Sequence, residues 1–212
     1  MKTTFKTVLL LCISLIIYSS CSKKDDTEPT TDTNNQTVTA DGIITGTISN
    51  YSAGAFDAIE CIDAGGNVFG NCTPTSDGKF SMKLSTPTNL QEIVAGSDVS
   101  VSDRTAKSTM VTMGIYKNNS PVGELFKCNF TSYSSSIMKT ANNLMTVFMY
   151  FDKNCTIKGT ESKTSTTYDL NLKKRWNEVV LKVTGSSTYT LSSTIPTDLK
   201  WRYFIEDDYV FF

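Results

Sequence analysis

Histidine is absent from the chain. No Ser-His-Asp or Cys-His nucleophile can therefore be assembled, nor any zinc or iron site that relies on imidazole. Carboxylate chemistry, lysine bases and oxygen-ligand metals survive that exclusion. An excess of basic charge is also lacking, since 20 Lys and Arg stand against 21 Asp and Glu. A nucleic-acid partner, which calls for a basic stripe, is not expected, and neither is a general attraction to anionic lipid. No apolar run reaches the roughly 20 residues needed to span a bilayer. Long stretches of helical periodicity are missing as well.

What is present begins with a leader. Lys2 and Lys6 make a short positive start, and residues 8–17, VLLLCISLII, form an apolar stretch. That length suits a secretory signal peptide over residues 1–20 and is too short for a membrane span. Ser19 and Ser20 then precede Cys21. The segment Tyr18-Ser19-Ser20-Cys21 resembles a lipobox in the variant form found among Bacteroidota lipoproteins, with Tyr18 where Leu is usual. The resemblance implies cleavage before Cys21, diacylglycerol on its thiol and acylation of the new amine. Two or three acyl chains anchor a protein stably where one does not. The expected partner of Cys21 is thus the membrane. Ser22-Lys23-Lys24-Asp25-Asp26 is similar to the export signals that send such lipoproteins to the outer face of the outer membrane. Residues 27–40, TEPTTDTNNQTVTA, hold no aromatic residue, Leu or Ile, so residues 21–40 read as the lipidated Cys and a disordered linker.

From residue 41 onward, short runs rich in β-branched and aromatic residues alternate with turn residues. Strands are expected at 43–49, 55–62, 68–73, 79–84, 111–116, 122–130, 144–152, 156–162, 166–172, 178–183, 189–193 and 199–205. Phe80, Met82 and Leu84 alternate onto one face. The run LMTVFMYFD at 144–152 is the most apolar and reads as a central strand. Residues 85–108 and 132–143 read as long loops. The pattern predicts an all-β fold, an antiparallel β-sandwich over 41–212. One domain and two stacked β modules, divided near 97–108, are both compatible with it.

Cys12 would leave with the leader, which keeps Cys61, Cys72, Cys128 and Cys155 in the domain. A two-residue hairpin turn centred on Gly66-Asn67 would place Cys61 opposite Cys72, at bridging distance. Cys128 with Cys155 then follows by elimination, and two disulfides suit an exported protein. Free buried thiols and a four-thiolate zinc site are the alternatives, the latter without the usual Cys-x-x-Cys spacing.

Two further stretches carry a resemblance. Residues 42–48, GIITGTI, through Asp77-Gly78-Lys79-Phe80-Ser81, and residues 168–177, YDLNLKKRWN, are similar to elements of Bacteroidota lipoproteins that have no assigned activity. Arg175 stands where those proteins usually have Gly. The resemblance implies a β-rich extracytoplasmic domain and transfers no catalytic residue.

Three clusters offer chemistry. Trp176, Trp201 and Tyr203 could form a stacking platform for a sugar ring, or be core. Glu206-Asp207-Asp208 could hold a hard cation, but adjacent residues of an extended chain point to alternating sides, so no metal site is expected. Residues 209–212, YVFF, could pair as a last strand or stand exposed as an apolar tail that binds a partner. No catalytic residue and no cofactor are expected. The leading functional expectation is a non-enzymatic binding module on the cell surface, for glycan or protein. A structural or assembly lipoprotein of the envelope is the second, and a small hydrolase using paired carboxylates the third. The two long loops are the expected place for a binding site.

Overall fold

Strand propensity and two-residue alternation dominate the sequence, and strands are what form. The computed structural model describes residues 37–134 and 136–205. The leader, Cys21, residues 22–36, Glu206-Asp207-Asp208 and the terminal Tyr-Val-Phe-Phe lie outside the described residues. Fourteen strands appear in order: β1 (Ile43–Thr47), β2 (Ala58–Ile62), β3 (Val68–Cys72), β4 (Lys79–Lys83), β5 (Gln91–Glu92), β6 (Val99–Val101), β7 (Lys107–Lys117), β8 (Ser120–Cys128), β9 (Leu144–Phe151), β10 (Cys155–Glu161), β11 (Thr166–Leu172), β12 (Trp176–Gly185), β13 (Thr188–Ser192) and β14 (Lys200–Ile205). A single 3-10 turn, Ile137–Lys139, is the only helical element among the described residues.

The fold is an all-β sandwich. β1 and β4 form a two-stranded ribbon, and the other twelve strands form one large sheet along the order β3-β2-β7-β8-β9-β12-β13-β11-β10-β6, with β14 on β8 and β5 on β7. The strands of the sheet pair antiparallel except β11 with β13, which run parallel, so the sheet is mixed, and an isolated parallel bridge joins Ile48 to Trp201 of β14. The hairpin β12–β13 inserts between β9 and β11, which brings those two strands into the same direction.

β9 is central, as its composition predicts, and is buried on both faces. Phe148 and Tyr150 face the ribbon, whereas Val147, Met149 and Phe151 face the opposite side. The ribbon face holds the first core, in which Ile44, Phe80 and Met82 meet Ile59, Met113 and Leu125. The opposite face holds a second core of Val147, Phe151, Leu170, Val179 and Leu191.

Among the described residues, order begins at Thr37, inside the stretch 21–40 read as a disordered linker, so that expectation fails for its last residues. Val38 is buried and bridges Ile44. The Thr37 backbone N–H and hydroxyl both donate to Oε2 of Glu178, at 2.6 and 2.8 Å. Oε1 of the same carboxylate takes the ammonium of Lys127 at 3.0 Å. Glu178 is fully buried, so this three-donor arrangement compensates a charge drawn out of water.

The predicted disulfides do not form; Cys61, Cys72, Cys128 and Cys155 are free thiols. The reason is hairpin register. The β2–β3 turn closes at Asp63 and Asn67, with Asp63 N donating to Asn67 O, and Gly66 takes a φ of 82° inside it. The Asp63 carboxylate pins this turn by accepting from the backbone and side-chain nitrogens of Asn67. A bulge follows between Cys61 and Ile62. Cys61 therefore faces Gly70, and Cys72 faces Ile59. The two thiols are diagonal neighbours, about 7–8 Å apart at the backbone in such ladders, which is beyond bridging reach. Cys128 and Cys155 belong to separate core clusters.

Candidate functional site

The large sheet curls on the face opposite the ribbon. β7 is long enough to serve both halves of the molecule. Its C-terminal half pairs with β2 and β8, and its N-terminal half pairs with β9 on one edge and β5 on the other. Ser108 shows the switch, standing opposite Phe151 of β9 and Gln91 of β5. From there the sheet continues through β12, β13, β11 and β10 to β6. β5 and β6 belong to one continuous segment, so residues 93–98 strap the far edge of the sheet back to its start. The ring of strands is closed by chain instead of by a ladder.

Under this strap lies a cleft of about 620 Å³. Its walls follow from strand alternation: Met149 and Phe151 from β9, Ile157 and Glu161 from β10, Tyr168 and Leu170 from β11, and Leu191 from β13 point inward. Met110 of β7 and Leu90, Ile93 and Val94 of the loop complete the apolar lining, and the tip of the β2–β3 hairpin stands at its edge. The volume lies within the range of small-molecule sites.

The strap is latched by one buried acid. Glu161 is 4% exposed. Its Oε2 accepts the Gly96 N–H at 2.9 Å, and Oε1 accepts the Lys163 N–H at 3.2 Å. Asp98 adds a second fastening by accepting from the Ser162 hydroxyl at 3.0 Å. Three carboxylates line the cleft, Asp63, Glu92 and Glu161, and no Lys or Arg does.

The expected stacking platform is core. Trp201 is 5% exposed and Trp176 is 3% exposed. Trp201 is wedged between the two sheets, edge-on to Phe80 at 5.1 Å and stacked on Phe148 at 6.2 Å. It lies so close to β1 that a Cβ on Gly46 would stand 2.3 Å from the indole nitrogen. Trp176 sits between Phe69 and Tyr150 and donates its indole N–H to Ser85 O at 3.0 Å. Tyr203 is half-buried and packs edge-on to Phe56. The two tryptophans are pillars in the core and present no platform to a sugar.

Of the two long loops, 85–108 forms the strap and roof of the cleft, and 132–143 packs Tyr133 and Ile137 onto a third core cluster instead. Sequence reasoning missed the inward set on β10 and β11. The alternation at Ile157, Glu161, Tyr168 and Leu170 was its visible signal. Burial disfavours the thiolate at all four, pushing Cys72 up to about 11 and Cys128 and Cys155 up to about 12, and raising Cys61 as well. Among the described residues, no three Cys, Asp or Glu side chains converge as metal ligands, and no helix is long and apolar enough to cross a membrane. No family model matches the chain, and no curated protein or solved structure shows significant similarity to it.

Proposed function

We propose that this chain is a non-enzymatic binding module, tethered to the outer membrane through acylated Cys21 and exposed at the cell surface, that takes the apolar part of a small ligand into the strapped cleft. The observation that carries the reading is the cleft itself, about 620 Å³ of space walled by Met, Ile, Leu and Phe side chains on a rigid sheet. Met110 and Met149 lend such a wall adaptability, because an unbranched thioether refills irregular gaps at low cost. A glycan reading has less support, since both tryptophans that would stack on a sugar are inside the core. The lipid anchor rests on the lipobox-like Tyr18-Ser19-Ser20-Cys21 and the apolar leader before it.

The test is titration of the full chain carrying Cys21→Ser, so that no acyl chain competes, with an uncharged solvatochromic dye. A saturable single site is expected in this background. Ala95→Trp should weaken it about tenfold or more, because Ala95 lines the cleft from the strap and an indole there takes up part of the space the ligand needs. Absence of saturable binding, or binding indifferent to Ala95→Trp, would sink the cleft reading. Loss of acyl labelling in Cys21→Ser, together with removal of the domain from intact cells by protease, is the expected result for the tether.

A further inference from the structure

The cleft has a charge bias that the apolar walls do not require. Asp63 is half-buried, with each oxygen already accepting one hydrogen bond from Asn67, and Glu92 is exposed, both at the margin formed by the β2–β3 hairpin and β5. Glu161 is buried beneath the strap. A polar head would thus meet a carboxylate whether it stays at the margin or enters. No Lys or Arg lines the cleft itself. Lys107 is the ladder partner of Glu92 and shares its face of the sheet, so it offsets part of the charge at the margin; Lys163 gives its backbone N–H to Glu161, and the Arg104 guanidinium donates to Val99 O at 3.3 Å. Glu161 has acceptor capacity left after its two N–H bonds, because a carboxylate offers about four lone-pair sites. Two aromatic rings, Phe151 and Tyr168, also line the space, and a ring face attracts a desolvated cation.

Resting on the cleft reading above, we propose that its ligand class is a cationic amphiphile: an aliphatic chain among the Met, Ile and Leu side chains, with an ammonium-type head held by the carboxylates. An anionic amphiphile of the same chain is rejected, since it would bring like charge to Asp63, Glu92 or Glu161 without a Lys or Arg in the lining to receive it. An uncharged head falls between the two.

The experiment displaces the uncharged dye from full-chain Cys21→Ser with three probes of equal chain length, decyltrimethylammonium, decanol and decanoate, each below its micelle-forming concentration. Decyltrimethylammonium should displace at a concentration roughly tenfold or more below decanoate, the scale of one partly screened charge pair, with decanol between. The double variant Asp63→Asn with Glu92→Gln should narrow the gap several-fold. Glu161→Gln, which keeps an oxygen for Gly96 N–H, should narrow it as well if the head enters. Decanoate displacing as well as decyltrimethylammonium overturns the charge inference and leaves the cleft intact. A gap unchanged in all three substituted positions also overturns it, as does cation binding undiminished by Ala95→Trp. Failure of the dye itself to bind is the separate signature that the cleft reading is wrong.

Discussion

At the scale of single residues, one buried carboxylate bears the largest consequence for stability. Glu178 lies near the start of β12 with no solvent exposure, and its partners arrive from the first described residue, Thr37, and from Lys127 on β8. Removing one partner of a buried pair strands the other's charge, which costs about 3–5 kcal/mol, whereas replacing both with apolar groups is often neutral. Glu178→Leu is therefore expected to lower unfolding free energy by about 3 kcal/mol or more, measured by urea denaturation. Lys127→Met with Glu178→Leu should recover most of that loss. Equal losses in the single and double variants would show that Thr37, and not the Lys127 charge, is the partner that matters.

At the scale of elements, the sheet has an outer edge at β14 that ends without a ladder. It is covered by the isolated bridge Ile48–Trp201 and by side chains. Asn50 donates its amide nitrogen to Tyr203 O at 2.9 Å and accepts Tyr203 N–H at 3.1 Å, the two bonds a neighbouring strand would make. Ser49 covers Trp201 O with both its N–H and its hydroxyl. Open edges recruit other chains. Asn50→Ala is accordingly expected to destabilise by about 1 kcal/mol and to raise the fraction of dimer in sedimentation velocity; a monomer unchanged at high concentration would argue against the capping role. The same scale shows what could be read from sequence. All twelve expected strands exist, because a buried sheet face imposes alternation that Phe80, Met82 and Leu84 or the run at 144–152 display directly. β5 and β6 could not be read, being two and three residues long and defined only by the long-range partners β7 and β10. The register of β2–β3 could not be read either, because a left-handed Gly66 and a bulge shift it by amounts no periodicity records. Nor does sequence separate a tryptophan that stacks on a ligand from one that joins two layers. For Trp201 that difference lies in Gly46, Phe80 and Phe148, and for Trp176 in Phe69 and Tyr150, brought together only by the fold.

At the scale of the whole molecule, the sandwich half and the strapped half are built from shared strands. β7 gives one half of its length to each, and β9 presents Phe148 to the ribbon core and Phe151 to the cleft core. β7 runs as one strand through residues 107–117, changing partner from β9 to β8 along its length, so neither core can be exposed without tearing a strand that carries the other. Two linked modules separated by a linker would unfold in two steps; shared central strands predict one. Both tryptophans sit in the ribbon core, so their fluorescence reports that half, whereas a dye held in the cleft reports the other. The expected outcome is a single urea transition in which tryptophan fluorescence, far-ultraviolet dichroism and dye release share one midpoint. Saturating ligand should shift that common midpoint, since binding to the native state alone adds about 2.7 kcal/mol at one hundred times Kd. If dye release precedes the tryptophan transition, and ligand moves only the first, the strapped half opens on its own. The shared strands would then be a weaker coupling than their pairing implies.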